Sequence, residues 1–438
     1  MRKFSIAVFL SFIIMLIAPF TTVFAEYTPP FEVNADAVYM VNLDTGTVVY
    51  QKNANKKEYP ASLTKLITTI LAMESTPDLD NTMVKCTSSI LDEFYGMNAS
   101  NAGMRAGEER SMRDLIYCML LPSANEAASM VADYIGGDRE TFIDMMNKKA
   151  EELGAVSTHF VNPHGLHDDD HYSTAQDMYL IARYAMQLPG FMDMASATTY
   201  TLKPSNKRDT EYINTTNKLM VTSSPIYDKD VRGMKTGTTD EAGRCSVTTA
   251  TRDGYTYMLV VMNAPYNPDE TKDENQALIL SKNLFDWAFS SFEVKELIST
   301  ENPIAEVPLK LNWDKDFLYL RAESSFTALV PKSTSEGDII QRLNIPKFIN
   351  APIKKGDAIG TVELMVMGEK VGSVKLLADE DAARSEVLYI LEVLKAATKT
   401  VWFYVGIGTF VAMLLAMIIG SIVVNRRKNS RFNSHSRF

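Results

Sequence analysis

The stretch Pro60-Ala61-Ser62-Leu63-Thr64-Lys65 stands where an extended segment changes to a helical pattern. Apolar residues recur at helical spacing through it and beyond: Leu63, Leu66, Ile67, Ile70 and Leu71. Residues three apart share a helix face, so the Ser62 hydroxyl and the Lys65 amine can meet. The first turn of a helix also exposes free backbone N–H groups. This stretch therefore offers a nucleophile, a base and half of an oxyanion hole.

Lys65 can act as a base only if its amine is neutral. The ordinary lysine pKa is near 10.4, so catalysis near pH 7 needs a depression of about three units, or about 4 kcal/mol. Burial can lower the pKa that far, and a second cation nearby adds to the effect. The alternative is a helix start with an incidental serine and lysine. No other Ser-x-x-Lys occurs in the chain, which favours the catalytic interpretation.

Length and composition limit the class of protein. The 438 residues suggest two or three domains, and the 46% hydrophobic and 22% charged content is typical of globular chains. A net charge of −10 argues against a nucleic-acid-binding protein. Cys86, Cys118 and Cys245 are too few and too scattered for a disulfide framework, and their odd number leaves at least one free thiol or an intermolecular bond. We expect no cofactor.

Residues 1–25 have the pattern of an export signal. Arg2 and Lys3 precede an apolar run over residues 4–20, and Val23-Phe24-Ala25 offers a small-residue cleavage site. An uncleaved anchor is the alternative. Export is expected in either case.

A second polar element is Ser123-Ala124-Asn125. It follows Pro122, which ends a helix predicted from Ser111, and it precedes another helix that runs to about Tyr134. A polar turn between two apolar helices can direct side chains into a cleft. The alternative is an ordinary helix cap, because Ser281-Lys282-Asn283 has the same form.

A third element is Lys235-Thr236-Gly237. Two β-patterned runs, Cys245–Thr251 and Tyr255–Met262, follow it, so it is predicted on the first of three consecutive strands. A glycine on a strand lets another backbone approach closely, and an edge strand can pair with an extended peptide. Lys235 and Thr236 could then hold a substrate carboxylate. The alternative is a lysine in a turn.

Histidines and aspartates crowd between residues 159 and 171, which suggests a zinc or calcium site. Only His167 and His171 have the spacing of a helical ligand pair, and they lie in loop-like sequence. We therefore predict a structured loop and no metal site.

The three motifs occur in one order along the chain, and this combination resembles penicillin-binding proteins and serine β-lactamases. Longer stretches are similar to the low-molecular-mass D-alanyl-D-alanine carboxypeptidases: Pro60–Leu66, Leu121–Ala128, His171–Met178 and Gly233–Gly237. The resemblance is close over residues 35–292. It implies an α+β, β-lactamase/transpeptidase-like catalytic domain over residues 26–292, with an antiparallel sheet flanked by helices.

The resemblance also implies roles in a two-step acyl transfer. Ser62 would attack the bond between the two terminal D-alanines of a peptidoglycan stem peptide, and Lys65 would take its proton. Backbone N–H groups of Ser62 and Thr238 would stabilise the oxyanion. Ser123 would pass a proton to the leaving amine while Asn125 holds the substrate's amide. Water would then release the shortened peptide.

The resemblance also implies that the strand with Lys235-Thr236-Gly237 binds the substrate. Lys235 and Thr236 would hold the terminal carboxylate, and Lys235 would help to keep Lys65 neutral. β-Lactams imitate the D-Ala-D-Ala end and should acylate Ser62. Many relatives have His where this chain has Thr238. Some also use an arginine ahead of the last catalytic-domain helix, where this chain offers Lys272.

The pattern changes after the catalytic part. Short alternating runs predict a small all-β domain over residues 293–378. Residues 379–400 are predicted as an amphipathic juxtamembrane helix, and residues 401–424 form an uncharged run of membrane-spanning length. The tail, residues 425–438, is basic, so the positive-inside rule places it in the cytoplasm.

We therefore expect a serine-type D-Ala-D-Ala carboxypeptidase that spans the cell membrane once, with its catalytic domain outside. Its expected partners are peptidoglycan stem peptides, β-lactam antibiotics and the cytoplasmic membrane, without nucleic acid. A β-lactamase is the nearest alternative, and no class A-like loop with a deacylating glutamate is recognisable. A non-catalytic cell-wall or β-lactam-binding protein is the other.

Overall fold

The computed structural model describes residues 28–266 and 275–433, and these divide into two compact units. The first runs to Lys295 and includes Thr327–Ile339 and Val366–Val371. The second contains Glu296–Phe326, Ile340–Met365 and the chain from Gly372. The predicted export signal and Lys272 lie outside the described residues.

Up to Ser291, the described part of the first unit contains nine strands and eight α-helices. The strands are β1 (Ala37–Asn42), β2 (Val48–Lys52), β3 (Met83–Lys85), β4 (Glu109–Ser111), β5 (Thr199–Leu202), β6 (Glu211–Asn214), β7 (Val231–Thr239), β8 (Gly243–Arg252) and β9 (Tyr255–Ala264). The helices are α1 (Lys65–Ser75), α2 (Ser88–Glu93), α3 (Met112–Leu120), α4 (Asn125–Gly136), α5 (Arg139–Glu152), α6 (Ala175–Ala185), α7 (Phe191–Ala195) and α8 (Gln276–Ser291).

A five-stranded antiparallel sheet forms the centre of this unit, in the order β2-β1-β9-β8-β7. Strands β1 and β2 form an antiparallel hairpin. The three consecutive strands predicted around Lys235 are confirmed, and β7 lies at the edge of the sheet. The α+β fold class is therefore correct.

Both faces of the sheet are covered, so its central strand is buried on each side. Val260 of β9 packs in the larger cluster, together with the buried residues of α1 and α3. Val261, the next residue, packs in the other cluster with Phe285 and Phe289 of α8. Successive side chains on a strand point to opposite faces, which explains the continuous apolar run in β9. Each fully buried aliphatic side chain contributes about 1.5–3 kcal/mol.

Helix α1 is the interior helix of the larger cluster. Its residues from Lys65 to Ala72 are all buried, including Thr68 and Thr69. Local signals set the neighbouring helices, because Ser111 and Thr174 each accept a hydrogen bond from a backbone N–H at a helix start. Gly137, in the left-handed conformation, ends α4.

The chain beyond Ser291 is β-rich, as predicted. Its strands are β10 (Phe292–Ile298), β11 (Ala305–Lys310), β12 (Phe317–Ala322), β13 (Phe326–Pro331), β14 (Ile339–Asn344), β15 (Ile349–Asn350), β16 (Ala358–Val366) and β17 (Glu369–Ala378). Six of them form a sheet in the order β14-β16-β17-β12-β11-β15. Most residues of strand β14 are exposed, so it lacks the alternation of buried and exposed positions that marks a strand in a sequence.

The juxtamembrane helix predicted over residues 379–400 is longer than the helix observed in the structure. Helix α9 covers only Glu386–Ala397, and residues 379–385 are not helical. The physical reason is tertiary pairing: Ala382 exchanges two backbone hydrogen bonds with Ile353, each 2.9 Å long. Ser385 then caps α9. After it, α10 (Val401–Asn433) contains an apolar span over Val401–Arg427 that is long enough to cross a membrane.

Candidate active site

Ser62 and Lys65 meet as the spacing predicted. Ser62 lies in a short 3-10 turn, Ala61–Thr64, and Lys65 begins α1. The Nζ of Lys65 lies 2.9 Å from the Ser62 Oγ, 2.7 Å from the Asn125 Oδ1 and 2.6 Å from the His164 carbonyl oxygen. A neutral amine has two N–H groups, and these can donate hydrogen bonds to the two carbonyl-type oxygens. Its lone pair then faces the serine hydroxyl.

The surroundings of Lys65 favour its neutral form. Its side chain is fully buried, and burial lowers its pKa well below the ordinary lysine value. The charge of nearby Lys235 lowers the pKa further, while the Glu126 carboxylate opposes the shift. A lysine base needs a lowered pKa. For Lys65, burial is the larger cause of this lowering and the charge of Lys235 is the smaller one.

Lys235 and Ser123 form a second contact pair. The Nζ of Lys235 donates to the Ser123 Oγ at 2.9 Å and to the Thr236 carbonyl oxygen at 2.8 Å. Burial lowers the pKa of Lys235 to about 7. Ser123 lies in the turn between α3 and α4 with a φ of 67°, a sparsely populated conformation for a residue with a side chain. Backbone strain of this kind is concentrated at functional sites.

The edge strand β7 lies directly against the Ala61–Thr64 turn that carries Ser62, here called the nucleophile turn. A Cβ added at Gly237 would be 3.0 Å from the Ser62 backbone nitrogen and 3.1 Å from the Pro60 carbonyl oxygen. Only glycine fits that approach without displacement. The Thr236 hydroxyl lies 2.6 Å from the Thr216 hydroxyl.

These groups surround one cavity of about 360 Å³. Its walls include Ser62, Ser123, Thr236, Gly237 and Thr238 from the predicted site residues. The other predicted residues, Lys65, Asn125 and Lys235, are buried and hydrogen-bonded to each other or to the cavity serines. The structure thus brings all the predicted site residues together.

Sequence reasoning missed several cavity residues. The further lining residues are Ser100, Thr215, Thr216, Lys218, Arg244 and Asn275. Arg244 could have been found from the hairpin register, because it pairs directly with Thr238. His164 contributes only its carbonyl oxygen to Lys65, so no side-chain motif could have identified it.

The histidine-rich loop supports the nucleophile turn. The Val161 N–H donates to the Nδ1 of His171, so the Nε2 of that ring carries the proton and donates to the Thr64 Oγ1 at 2.8 Å. The Thr64 hydroxyl in turn donates to the Ala61 carbonyl oxygen. Over residues 28–266 and 275–433, no group of three or more His, Cys, Asp or Glu residues has the arrangement of a metal site.

Comparisons with known proteins agree with this geometry. The family model for D-alanyl-D-alanine carboxypeptidase matches residues 22–266, and that for the penicillin-binding protein 5 C-terminal domain matches residues 292–384. The D-alanyl-D-alanine carboxypeptidase DacF of Bacillus subtilis is 29% identical over 360 residues, which cover 82% of this chain and 88% of that protein. A D-alanyl-D-alanine carboxypeptidase of Streptomyces sp. strain K15 is 30% identical over 251 residues, which cover 55% of this chain and 84% of that protein.

Solved structures of the same family are also similar to this chain. Penicillin binding protein 5 from Haemophilus influenzae aligns with a TM-score of 0.63 and 26% identity, over 82% of this chain and 100% of that chain. The first family model covers more than half of the 438 residues. The protein is therefore a member of the D-alanyl-D-alanine carboxypeptidase family, as its three motifs indicated.

Proposed function

We propose that this protein removes the terminal D-alanine from peptidoglycan stem peptides through an acyl-enzyme on Ser62. The observation that carries the proposal is the buried Lys65 amine, 2.9 Å from the Ser62 hydroxyl oxygen and bound to two other oxygen atoms. Family membership supports the reaction class, and this geometry supports the assignment of the residues.

Acylation uses the pair as nucleophile and base. Lys65 accepts the hydroxyl proton while the Ser62 oxygen bonds to the carbonyl carbon of the penultimate D-alanine. The carbonyl oxygen becomes an oxyanion, which the backbone N–H groups of Ser62 and Thr238 stabilise. The close approach of Gly237 to the Ser62 nitrogen supports this pairing of donors.

The second step needs a proton on the leaving amine. Ser123, which accepts a hydrogen bond from Lys235, lies in the cavity wall and can give its hydroxyl proton to the departing D-alanine nitrogen. The proton that Lys65 took from Ser62 then replaces it, which leaves Lys65 neutral again. The C–N bond then breaks and the acyl group stays on Ser62. Water attacks this ester, Lys65 again serves as base, and the shortened peptide leaves. Asn125, buried beside Lys65, would hold the substrate's amide.

Slow release of β-lactams is part of the proposal. A β-lactam mimics the D-Ala-D-Ala end and acylates the same hydroxyl. Among the residues described, those lining the cavity include no aspartate or glutamate that could activate a deacylating water. This favours a penicillin-binding carboxypeptidase over a β-lactamase.

We also propose a single membrane span with the catalytic unit outside the cell. The apolar span of 27 residues corresponds to about 40 Å of helix, enough for a bilayer. Arg426 and Arg427 close it, and the positive-inside rule then assigns the tail to the cytoplasm. The protein should resist alkaline extraction from membranes. A protease added outside the cell should cleave the catalytic unit. Recovery in the soluble fraction would contradict this arrangement.

The central test substitutes the nucleophile. In Ser62→Ala, D-alanine release and covalent labelling by fluorescent penicillin should disappear together. Ser89→Ala, which changes an exposed serine outside the cavity, should retain both. Persistent labelling of Ser62→Ala would rule out Ser62 as the acylated residue. The idle cell-wall-binding alternative predicts no D-alanine release from the unmodified protein.

A further inference from the structure

Glu93 is the last residue of α2, and its partly buried carboxylate joins three other segments of the catalytic unit. Its Oε2 accepts from the Ser129 Oγ of α4 at 3.0 Å, and its Oε1 accepts from the Arg139 Nη1 of α5 at 3.0 Å. The same Oε1 lies 2.9 Å from the Nε2 of His164. No step of the proposed acyl transfer uses this carboxylate.

The His164 ring donates its proton to this carboxylate in a hydrogen bond. The Leu166 N–H donates to the Nδ1 of the ring at 3.2 Å, so the Nε2 of the neutral ring carries the proton. Burial lowers the pKa of His164 to about 4, although Glu93 opposes this shift. Burial would raise the pKa of Glu93, but hydrogen bonds from His164 and Arg139 outweigh it and lower that pKa to about 2. Near pH 7 a neutral ring therefore donates to a charged carboxylate, which makes a strong hydrogen bond.

The backbone of the same histidine packs against α1, the helix that begins with Lys65. The Pro163 carbonyl oxygen accepts from the Thr68 Oγ1 of α1 at 2.7 Å. The His164 carbonyl oxygen accepts from the Nζ of Lys65 at 2.6 Å. This segment is held by α1 through its carbonyl groups and by Glu93 through its ring, so the ring helps to fix the direction of the carbonyl group.

The second oxygen that accepts from Lys65 is connected to the same carboxylate. The Oδ1 of Asn125 lies 2.7 Å from the Lys65 Nζ, and Asn125 precedes Ser129 by four residues on α4. Residues four apart lie on one face of a helix. Glu93 therefore links both oxygen atoms that hold the amine, one through the His164 ring and the other through Ser129.

We propose that Glu93 is a positioning residue for Lys65. It acts through His164 and Ser129, and it keeps the lone pair of the amine directed at the Ser62 hydroxyl. The inference rests on the proposed function, in which Lys65 is the base. Reacting groups have to be held to within about 0.5 Å by the hydrogen bonds of the residues around them. Without the carboxylate, the ring and α4 can shift independently of each other, and the amine loses its fixed direction.

The test measures acylation of the full chain in detergent by benzylpenicillin at a series of concentrations. This separates the first-order acylation constant, which does not depend on how much of a variant is folded, from the Kd of the noncovalent complex. In Glu93→Ala the acylation constant should fall by about 10- to 100-fold, because a misplacement of about 1 Å can cost about 100-fold in rate. The Kd should stay within about twofold, because the described residues that line the cavity do not include Glu93.

Two further variants separate the position of the group from its charge and from its arginine partner. Glu93→Gln keeps an oxygen for His164 and an amide group for Ser129, so it should recover part of the loss. Asp133→Asn is the matched control, because Asp133 accepts from the Nε of Arg139 at 2.9 Å and, among the residues described, is hydrogen-bonded to neither His164 nor Ser129. Its acylation constant should stay within about twofold of that of the unmodified protein.

A double-mutant cycle with Lys65→Arg separates positioning of the base from a general loosening of the fold. Lys65→Arg has no base to position, so adding Glu93→Ala should change its residual labelling rate by less than about threefold. An undiminished further loss, an unchanged acylation constant in Glu93→Ala alone, or no recovery in Glu93→Gln would overturn the inference while leaving the proposed function intact. Normal labelling of Lys65→Arg would instead overturn the proposed function in its choice of base, and this inference with it.

Discussion

The Nζ of Lys65 lies 2.9 Å from the Oγ of Ser62, and each of its two other hydrogen-bond partners is a carbonyl-type oxygen. A charged ammonium would use all three protons as donors, leaving nothing to accept the hydroxyl proton. Burial and the Lys235 charge disfavour that form. The arrangement therefore supports the proposed role of Lys65 as the base, because its two acceptors fix the direction of the lone pair.

Lys65→Arg should be close to inactive although it retains a cation. A guanidinium stays protonated at any working pH, so it cannot take the Ser62 proton. The second-order rate constant of penicillin labelling should fall by about 10²–10⁴-fold, the usual contribution of a general base. Lys149→Arg, at a surface ion pair with Glu74, should label at the normal rate. Appreciable labelling of Lys65→Arg would argue against Lys65 as the base.

The pH dependence of kcat/KM should be bell-shaped. Lys65 must be neutral, so activity should be lost as pH falls through its lowered pKa. Lys235 must be charged, so kcat/KM should also decline as pH rises through about 7, its pKa in the free protein. A bound carboxylate raises the pKa of Lys235, and the alkaline decline in kcat should therefore occur at higher pH than that in kcat/KM.

Lys235→Arg provides the control for this assignment. Arginine keeps its proton throughout, so the alkaline decline in kcat/KM should disappear even if the maximum is lower. The measurement is D-alanine release across a pH series. If the variant keeps the alkaline decline, another group is responsible for it.

Gly237→Ala should impair acylation more than it impairs folding. The added methyl group would meet the Ser62 nitrogen at 3.0 Å and must displace either the edge strand or the nucleophile turn. The shift needed is a few tenths of an ångström, and because a misplacement of about 1 Å can cost about 100-fold in rate, we expect a severalfold slower acylation. Gly337→Ala, whose added Cβ would have its nearest neighbour at 3.8 Å, is the matched control. Labelling rates and thermal unfolding of both variants would be compared, and normal labelling of Gly237→Ala would refute the close approach.

His171 should lower the free energy of unfolding as the solution becomes acidic. Burial lowers its pKa from 6.5 to about 3, so the unfolded chain binds a proton that the folded chain refuses. The stability is complete above about pH 6.5 and is lost progressively as pH falls towards 3. Between pH 7.5 and 5.0 this one ring accounts for about 2 kcal/mol.

His171→Gln should remove that part of the pH dependence, because glutamine does not titrate in this range. Urea unfolding of the catalytic unit within the full chain, at both pH values, measures the difference. His159→Gln is the control, since that ring is exposed and its Nδ1 contacts the Asp170 carbonyl oxygen at 2.7 Å. A variant with an unchanged slope would show that His171 is not the acid-sensitive group.

The sequence by itself determined the local elements that carry the proposed reacting groups. Helical spacing put Ser62 and Lys65 on one face, Pro122 and the flanking helices put Ser123 on a turn, and the β-patterned runs put Lys235 on the first of three strands. These predictions succeed because each depends on periodicity or on a terminating residue within a few positions. The helix predicted over residues 379–400 failed in part for the opposite reason, since the partner of Ala382 is Ile353, far away in sequence.

Only the tertiary structure decided which distant groups complete the site. The carbonyl oxygen of His164, the position of Arg244 beside Thr238, and the contact between Gly237 and the Ser62 nitrogen all join segments separated by many residues. Backbone carbonyls and close backbone approaches leave no side-chain pattern in a sequence. The depressed pKa of Lys65 likewise depends on burial and on a lysine from another strand, and both arise only when the sheet and the interior helix pack together.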